Sequence, residues 1–248
     1  MKNKIFHKSG THITYSIQSG KPPYVVFLHG LMSDMKGTKA LAIEEHLKKI
    51  GNGYIRFDCR GHGESGGEFP NFGINDWAED ASLVLTELTN NPVVLIGSSM
   101  GGWSMLLTTI KHPEKVLGLI GIAAAPDFTE DILCKLSTEN LELLTLNGVV
   151  EIPSEYGENP YIISKKLIDS GKNNLLLNHE IPISCPVHLF HGSNDEDVPF
   201  ETSFKLMKNI KSDDVQLTLV KNSNHQFSKS SDLKLIFNSV NKMLTLKK

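Results

Sequence analysis

Residues 93–103, VVLIGSSMGGW, join an apolar run to a turn of small residues and then to the start of a helical pattern. We predict a buried strand at residues 92–96 and a helix at residues 101–112. Between them, GSSMG (97–101) matches G-x-S-x-G, the pattern of a serine on a tight strand-to-helix turn. The pattern predicts that the Ser99 hydroxyl lies exposed above the carboxyl end of the strand. The alternative is a serine-rich helix cap without chemistry.

Strands and helices alternate on both sides of this turn. Some strands are apolar throughout, as expected when helices cover both faces of a sheet. The alternation predicts an α/β fold, with a mostly parallel twisted sheet and helices on both faces. The predicted strands are residues 11–18, 24–28, 54–58, 92–96, 116–125, 186–190 and 216–220, and the predicted helices are residues 37–49, 75 or 76 to 88, 101–112, 200–209 and 233–244.

The alternation is interrupted between residues 127 and 182. This segment mixes helical patterns at residues 133–146 and 161–169 with an extended run at residues 149–153. We interpret residues 1–126 and 183–248 as one α/β core, and residues 127–182 as a cap inserted into it, over the functional site. The alternative is a surface excursion without a function.

Composition and charge exclude several classes of protein. Hydrophobic residues make up 40% of the 248 residues and charged residues 21%, which is typical of a globular protein. The net charge of −3 gives no basic surface for nucleic acid. The longest apolar stretch, residues 116–126, is too short to span a membrane, and the first residues lack the apolar core of a secretory signal.

The three cysteines lie far apart in the sequence, at Cys59, Cys134 and Cys185. They form neither a C-x-x-C motif nor a cluster with histidines, so we expect free thiols and no metal site. Free thiols are typical of a reducing compartment. We therefore expect a cytoplasmic protein. No long amphipathic seam for a partner is visible in the sequence, so we also expect a monomer, without a membrane span.

A serine hydroxyl is a poor nucleophile at neutral pH and needs an adjacent base. His225 follows the predicted strand at residues 216–220, so we expect it at the same sheet edge as Ser99. The alternative is a solvent-exposed loop histidine. The chain order serine, acid, histidine is the one that accompanies G-x-S-x-G in this architecture.

A carboxylate in such an arrangement holds the imidazole in one tautomer and stabilises its charged form. Asp195, in HGSND (191–195), follows the predicted strand at residues 186–190 and is our first choice. Asp197 lies two residues further on and could substitute. Asp127 follows the preceding strand and also obeys the chain order.

Two backbone N–H groups are expected to stabilise an oxyanion that develops next to the serine. One belongs to Met100, the residue after Ser99. The other comes from the loop after the strand at residues 24–28, where Leu31 is the first choice and Met32 the second. Met32 and Trp103 are also candidate substrate contacts, although a tryptophan on a predicted helix is more often part of a core.

Two other histidines lie beside glycines. We interpret His29 as structural, packing or hydrogen-bonding within its own loop. His62 lies in the glycine-rich run at residues 60–67, which is built from turn residues. That run matches neither glycine pattern that binds nucleotide phosphates, so we expect no nucleotide. A serine activated by a histidine and a carboxylate needs no metal or organic cofactor, so we expect none.

Several segments together resemble the α/β-hydrolase superfamily. The resemblance covers nearly the whole chain outside residues 127–182. A closer similarity is to the subfamily of mitochondrial palmitoyl-protein thioesterases and acyl-glucuronide esterases, with their bacterial relatives. It implies the α/β-hydrolase fold, Ser99, Asp195 and His225 as a catalytic triad, and a cap over an acyl pocket. The segments are HG (29–30), GLMSDMKGTKALAIEE (30–45), IRFD (55–58), DCRGHGES (58–65), GSSMGGW (97–103), PEKVLGLIGIAA (113–124), HGSND (191–195), VP (198–199) and the late His225.

These observations lead to a hypothesis of a serine hydrolase that cleaves acyl esters or thioesters through an acyl-enzyme. Its substrate would be a small molecule, a lipid acyl group or an acylated protein. One alternative is a broad-specificity carboxylesterase. Another is a peptidase, for which Glu151, Glu155 and Glu158 could bind a free amino terminus. A third is a non-catalytic binding protein with the same fold.

Overall fold

A computed structural model describes residues 3–153 and 160–246. The strands in this part of the chain are β1 (Asn3–Phe6), β2 (His12–Gln18), β3 (Lys21–Leu28), β4 (Asn52–Phe57), β5 (Val93–Ser98), β6 (Val116–Ile122), β7 (Val149–Ile152), β8 (Tyr161–Ser164), β9 (Val187–Gly192) and β10 (Val215–Val220). Eight of them form one sheet in the order β1-β2-β4-β3-β5-β6-β9-β10. All neighbours from β4 to β10 are parallel, whereas β1 and β2 add an antiparallel edge. The mostly parallel sheet confirms the predicted α/β class.

Helices cover both faces of this sheet. They are α1 (Thr38–Ile50), α2 (Ile74–Leu88), α3 (Met100–Lys111), α4 (Phe128–Lys135), α5 (Thr138–Asn147), α6 (Lys165–Lys172), α7 (Glu201–Asn209) and α8 (Ser230–Met243). Buried residues of α1 and α8 pack in one apolar cluster, and those of α2, α3 and α7 pack in another. The sheet therefore separates two hydrophobic cores.

Strand β3 shows why the central strands are apolar throughout. Val25 and Phe27 pack in the core of α1 and α8, while Val26 and Leu28 pack in the core of α2 and α3. Successive side chains of a strand point to opposite faces of a sheet, so a strand covered on both sides needs apolar residues at every position. Each such side chain contributes about 1.5–3 kcal/mol by burial.

The segment between β6 and β9 differs in detail from the sequence-based prediction. The helical pattern at residues 133–146 is two helices, because Leu136 is extended and the Ser137 side chain caps α5 by accepting from Asn140 N. The pattern at residues 161–169 begins as strand β8, paired with β7, and becomes helical only after Ser164 caps α6. A short apolar run does not by itself distinguish a strand from a buried helix.

This segment has a small core of its own. Leu144, Val150, Ile163 and Ile168 are buried together. The segment begins after β6 and ends before β9, although these two strands are hydrogen-bonded neighbours in the sheet. Glu155 and Glu158, two members of the predicted acidic trio, lie outside the described residues. Among the described residues, no helix has the length and apolar character needed to cross a membrane.

Candidate active site

Ser99 lies between β5 and α3 with a backbone φ of +54°, a conformation that costs a non-glycine residue about 1–3 kcal/mol. The surroundings hold it there. Ser99 N donates to Ile122 O at 3.0 Å, and Ser99 O accepts from Gly102 N at 2.8 Å. A side chain at Gly97 would collide with the Gly101 backbone, and one at Gly101 would collide with Leu28 O. The small residues of the G-x-S-x-G pattern therefore permit this sharp turn.

Three side chains from three different loops form a continuous chain of hydrogen bonds. Ser99 Oγ lies 3.1 Å from His225 Nε2, and His225 Nδ1 lies 2.8 Å from Asp195 Oδ2 and 3.1 Å from Oδ1. A carboxylate can only accept, so Nδ1 carries the proton and Nε2 is free to accept from the Ser99 hydroxyl. The structure thus brings together the three residues that the sequence selected.

Asp195 is fully buried at its side chain but well supplied with donors. Its Oδ1 atom accepts from Asp197 N at 3.1 Å and from Val198 N at 2.9 Å. Burial alone raises the pKa of this carboxyl group, but hydrogen bonds from His191 and His225 outweigh burial and hold the pKa well below its usual value. Asp195 is therefore negatively charged at neutral pH.

The two alternative acids have other positions. Asp197 Oδ2 is 4.0 Å from His225 Nδ1, beyond hydrogen-bonding distance. Asp127 accepts from Leu176 N at 2.9 Å and from Leu177 N at 2.8 Å, which ties the start of α4 to the chain after α6. The structure does not bring Asp127 to His225.

The loop that carries His225 is held from two sides. Ser223 Oγ donates to the buried Asp232 at 2.8 Å, at the start of α8. On the other side, the Lys39 ammonium group donates to Gln226 O. Burial lowers the pKa of Lys39 to about 8. The negative charge of Asp195 acts in the opposite direction, because it favours the charged ammonium group. These contacts tie the loop that carries His225 to α8 and to α1.

The loop after β3 supplies a backbone donor beside Ser99. A Cβ atom at Gly30 would lie 3.4 Å from Ser99 Cβ, so this loop runs close to the serine. Within the described residues, no acceptor binds the N–H groups of Leu31 and Met100, and both residues line the cavity above Ser99. The N–H of Met32, the second choice, is already donated to His62 Nε2.

His62 was not expected to support this loop. Its Nδ1 lies 3.3 Å from Arg60 O, so Nδ1 carries the proton and Nε2 can accept from Met32 N. Burial and the neighbouring His29 lower the pKa of His62 to about 3, so the ring is neutral. His29, as expected, is structural: its Nδ1 lies 2.8 Å from Gly30 O, and its Nε2 accepts from Cys59 N.

A cavity of about 760 Å³ opens above Ser99. Many of its lining side chains are apolar, and several of these come from the segment between β6 and β9. Charged groups of both signs also line it, two of them on α4 beside apolar residues. The apolar contributors include Leu31, Met32, Phe128, Ile132, Ile152, Tyr161 and Ile163, and the charged ones are Asp34, Lys39, Asp131, Lys135, Glu196 and Asp197. Met32 also links the loop to β8, because Ile162 N donates to its sulfur at 3.4 Å.

The position of Trp103 in the structure contradicts the prediction that this residue contacts substrate. Its side chain is fully buried, it does not line the cavity, and its indole N–H donates to Asn174 O at 3.0 Å. It packs edge-on against Phe128, which does line the cavity. The helical position of Trp103 faces the core and not the cavity, as the alternative interpretation held.

One group of side chains in the described part of the chain has the spacing to hold a metal ion: Asp195, Asp197 and His225. Asp195 and His225 already hydrogen-bond to each other, and His225 also reaches Ser99. The arrangement is therefore that of a base oriented by a carboxylate, which we expect to act on the serine. The three cysteines are free thiols.

Comparison with known proteins identifies the family. The sequence profile described as serine aminopeptidase, S33, matches residues 22–151. Palmitoyl-protein thioesterase ABHD10, mitochondrial, of Bos taurus is 36% identical over 234 residues, which cover 94% of this chain and 76% of the relative. Mouse alpha/beta hydrolase domain-containing protein 10 has a TM-score of 0.90 at 33% identity, covering 98% of both chains. A protein from Agrobacterium vitis S4 has a TM-score of 0.93 at 35% identity, with the same coverage.

The profile matches more than half of the chain, and the relatives match nearly all of it. They share the fold described above, and their names are those of hydrolases and thioesterases. The chain therefore belongs to the serine aminopeptidase S33 family of hydrolases, within the α/β-hydrolase superfamily.

Proposed function

We propose that this chain is a serine hydrolase that cleaves acyl esters or thioesters, with Ser99, His225 and Asp195 as its catalytic triad. The observation that carries the proposal is the unbroken chain of hydrogen bonds from Ser99 Oγ through His225 to Asp195. Nucleophile, base and orienting acid are in hydrogen-bonding reach of one another, which is the geometry that activates a serine. The N–H groups of Leu31 and Met100 complete the site.

Acylation begins when Ser99 Oγ attacks the acyl carbonyl carbon and its proton passes to His225 Nε2. The carbonyl oxygen becomes an oxyanion, which accepts from Leu31 N and Met100 N. The buried carboxylate of Asp195 stabilises the imidazolium and stays ionised throughout this step. Collapse of the intermediate breaks the C–O or C–S bond, and His225 returns its proton to the leaving alcohol or thiol.

Deacylation repeats these steps with water as the nucleophile. His225 Nε2 takes a proton from the water as it attacks the acyl-enzyme carbonyl, and then returns the proton to Ser99 Oγ. The same two N–H groups stabilise the second oxyanion. The chain's own side chains and backbone supply every proton transfer and every donor in this cycle.

The apolar residues that line the cavity support a medium or long acyl chain as the group that is bound. Phe128, Ile132, Ile152 and Tyr161 face the space above Ser99. Residues 127–182 act in this proposal as a cap that shapes the acyl site. The relative from Bos taurus is named a palmitoyl-protein thioesterase, which is consistent with an acylated protein as substrate. A broad carboxylesterase would use the same machinery without preferring thioesters.

A second candidate activity is cleavage of an amide next to a free amino terminus. It is favoured by Glu196 and Asp197, which line the cavity together with His225 and could bind an ammonium group. The family description, serine aminopeptidase, points the same way. Aminoacyl p-nitroanilides test this candidate directly.

The experiment is a comparison of p-nitrophenyl esters from acetyl to palmitoyl with the matching acyl thioesters, using Ser99→Ala as the blank. We expect Ser99-dependent turnover, fastest on longer acyl thioesters. A preference for short oxygen esters would assign the chain to the carboxylesterases. Turnover by the Ser99→Ala protein at a rate close to that of the unmodified chain would contradict the proposal altogether.

Two properties from the sequence remain proposals. We propose a cytoplasmic location. The Bos taurus relative is named as mitochondrial, and fractionation of the source cells distinguishes the two locations. We also propose a monomer, which size-exclusion chromatography with light scattering tests. A dimeric mass would contradict the second proposal without affecting the first.

A further inference from the structure

A second imidazole, that of His191, contacts the carboxylate of Asp195. His191 is fully buried, and its Nε2 lies 3.1 Å from Asp195 Oδ2 and 3.0 Å from Val198 O. Its other ring nitrogen, Nδ1, lies 2.7 Å from Ser203 Oγ on the first turn of α7. The Asp195 carboxylate is thus held between two histidines.

The partners of His191 fix its tautomer. Nε2 faces a carboxylate oxygen and a carbonyl oxygen, both of which only accept, so Nε2 carries the proton. Nδ1 then accepts from the Ser203 hydroxyl. The Nε2–H of His191 therefore faces both the Val198 carbonyl and the Asp195 carboxylate, and the serine on α7 fixes the tautomer that places it there.

We propose that His191 is a positioning residue for the reaction, acting through Asp195, with Ser203 holding the tautomer that this requires. The inference rests on the proposed function, because Asp195 orients His225 in that reaction. Oδ2 accepts from His225 Nδ1 and lies 3.1 Å from His191 Nε2, while Oδ1 accepts from Asp197 N and Val198 N. The carboxylate cannot rotate without losing several of these bonds, so His225 keeps its line to Ser99.

Asp195 Oδ2 attracts the N–H groups of both His191 and His225, and the presence of one weakens its interaction with the other. Without His191, Asp195 accepts more strongly from His225, which favours the charged imidazolium form. The other charged groups around His225 are Asp197, at 4.0 Å from Nδ1, and Lys39, whose ammonium group donates to Gln226 O. Both stay in place when His191 is changed.

The chain offers a matched control on the same strand. His188 is also buried on β9, and its Nδ1 also pairs with a helical serine, Ser239 of α8, at 2.6 Å. It faces α8, and no contact joins it to Asp195 within the described residues. The test therefore compares His191→Leu with His191→Gln, which can keep a donor near the Nε2 position, and with His188→Leu.

The primary measurement is the His225 Cε1–H titration by NMR, which requires no turnover. We expect His191→Leu to move its midpoint upward by about 0.5 pH unit, with partial return in His191→Gln and no change in His188→Leu. The acid limb of kcat/KM moves in parallel, and kcat falls about tenfold, as is common when an outer hydrogen-bond partner of an active-site group is removed.

A folded His191→Leu protein with an unchanged His225 midpoint and an unchanged kcat would overturn the inference. If that variant does not fold, Ser203→Ala decides, because it leaves His191 in place and removes only the hydroxyl. A smaller upward shift of the midpoint supports the inference, and an unchanged midpoint overturns it. Failure of the proposed function would appear differently, as an unmodified chain that shows no Ser99-dependent hydrolysis. The NMR titration does not depend on turnover, so it would still test the inference about His191.

Discussion

His62 Nε2 accepts the backbone N–H of Met32 at 3.1 Å, and so connects two loops that are 30 residues apart in sequence. The bond occupies the Met32 N–H group, so that Leu31 N is the donor of this loop that is available to an oxyanion. It requires a neutral imidazole, and burial together with His29 provides one by lowering the pKa of His62 to about 3. A buried histidine outside the triad thus shapes the proposed oxyanion site.

Replacing His62 tests this role. We expect His62→Leu to lower kcat by about 10–100-fold with little change in KM, because Met32 N loses its acceptor and the loop no longer holds Leu31 N in line. His62→Gln offers an amide oxygen as acceptor and should recover most of the loss. Steady-state kinetics on one ester check this. Equal losses in both variants would contradict the role of the hydrogen bond.

The buried neutral histidine also makes stability depend on pH. The unfolded chain protonates His62 near pH 6.5, whereas the folded protein does so only near pH 3. Between these values the unfolded state binds more protons, so the free energy of unfolding falls as pH falls, by up to about 1.4 kcal/mol per pH unit from this residue. Urea unfolding at pH 7, 6, 5 and 4 should show a shallower decline in His62→Gln. Identical slopes would show that His62 is not the source.

Asp127 should behave as a structural residue. We expect Asp127→Ala to lower the free energy of unfolding by about 2 kcal/mol, because it leaves Leu176 N and Leu177 N without their acceptor. Folded Asp127→Ala protein should keep kcat within about threefold, whereas Asp195→Ala should lower kcat by about 10⁴-fold. Thermal unfolding and kinetics of both variants check this. A loss of similar size in the two variants would restore Asp127 as a candidate acid.

The segment between β6 and β9 should set the acyl-chain preference. Ile132 lines the cavity, so Ile132→Trp should fill part of it and lower kcat/KM for long acyl chains about tenfold relative to acetyl. Leu146→Trp is the control, since Leu146 is 80% exposed on α5 and does not line the cavity. Unchanged chain-length preference in Ile132→Trp would show that this wall does not contact the acyl group.

The sequence predicts the parts of this protein that local patterns determine. The parallel sheet follows from apolar runs between amphipathic helices, and the structure confirms it. Ser99, Asp195 and His225 could be selected because each follows a predicted strand, and the carboxyl ends of parallel strands share one edge. Their catalytic roles remain to be tested.

Other features depend on contacts that no local pattern encodes. His62 is in the glycine turn that was expected, but its bond to Met32 arises only from folding. The contact of His191 with Asp195 is likewise visible only in the structure, where the His191 ring folds back onto a carboxylate four residues further along the chain. Trp103 was placed on its helix correctly, yet the sequence did not tell which side of α3 faces the cavity.

The most direct test of the central claim is intact-protein and peptide mass spectrometry after treatment with a fluorophosphonate, which reacts only with an activated serine. We predict one adduct per chain, on Ser99, in the unmodified protein and in the neighbouring Ser98→Ala control, and none in Ser99→Ala. His225→Ala should label far more slowly, since the base is gone. An unlabelled native chain, or an adduct that persists in Ser99→Ala, would contradict the assignment of Ser99 as the nucleophile.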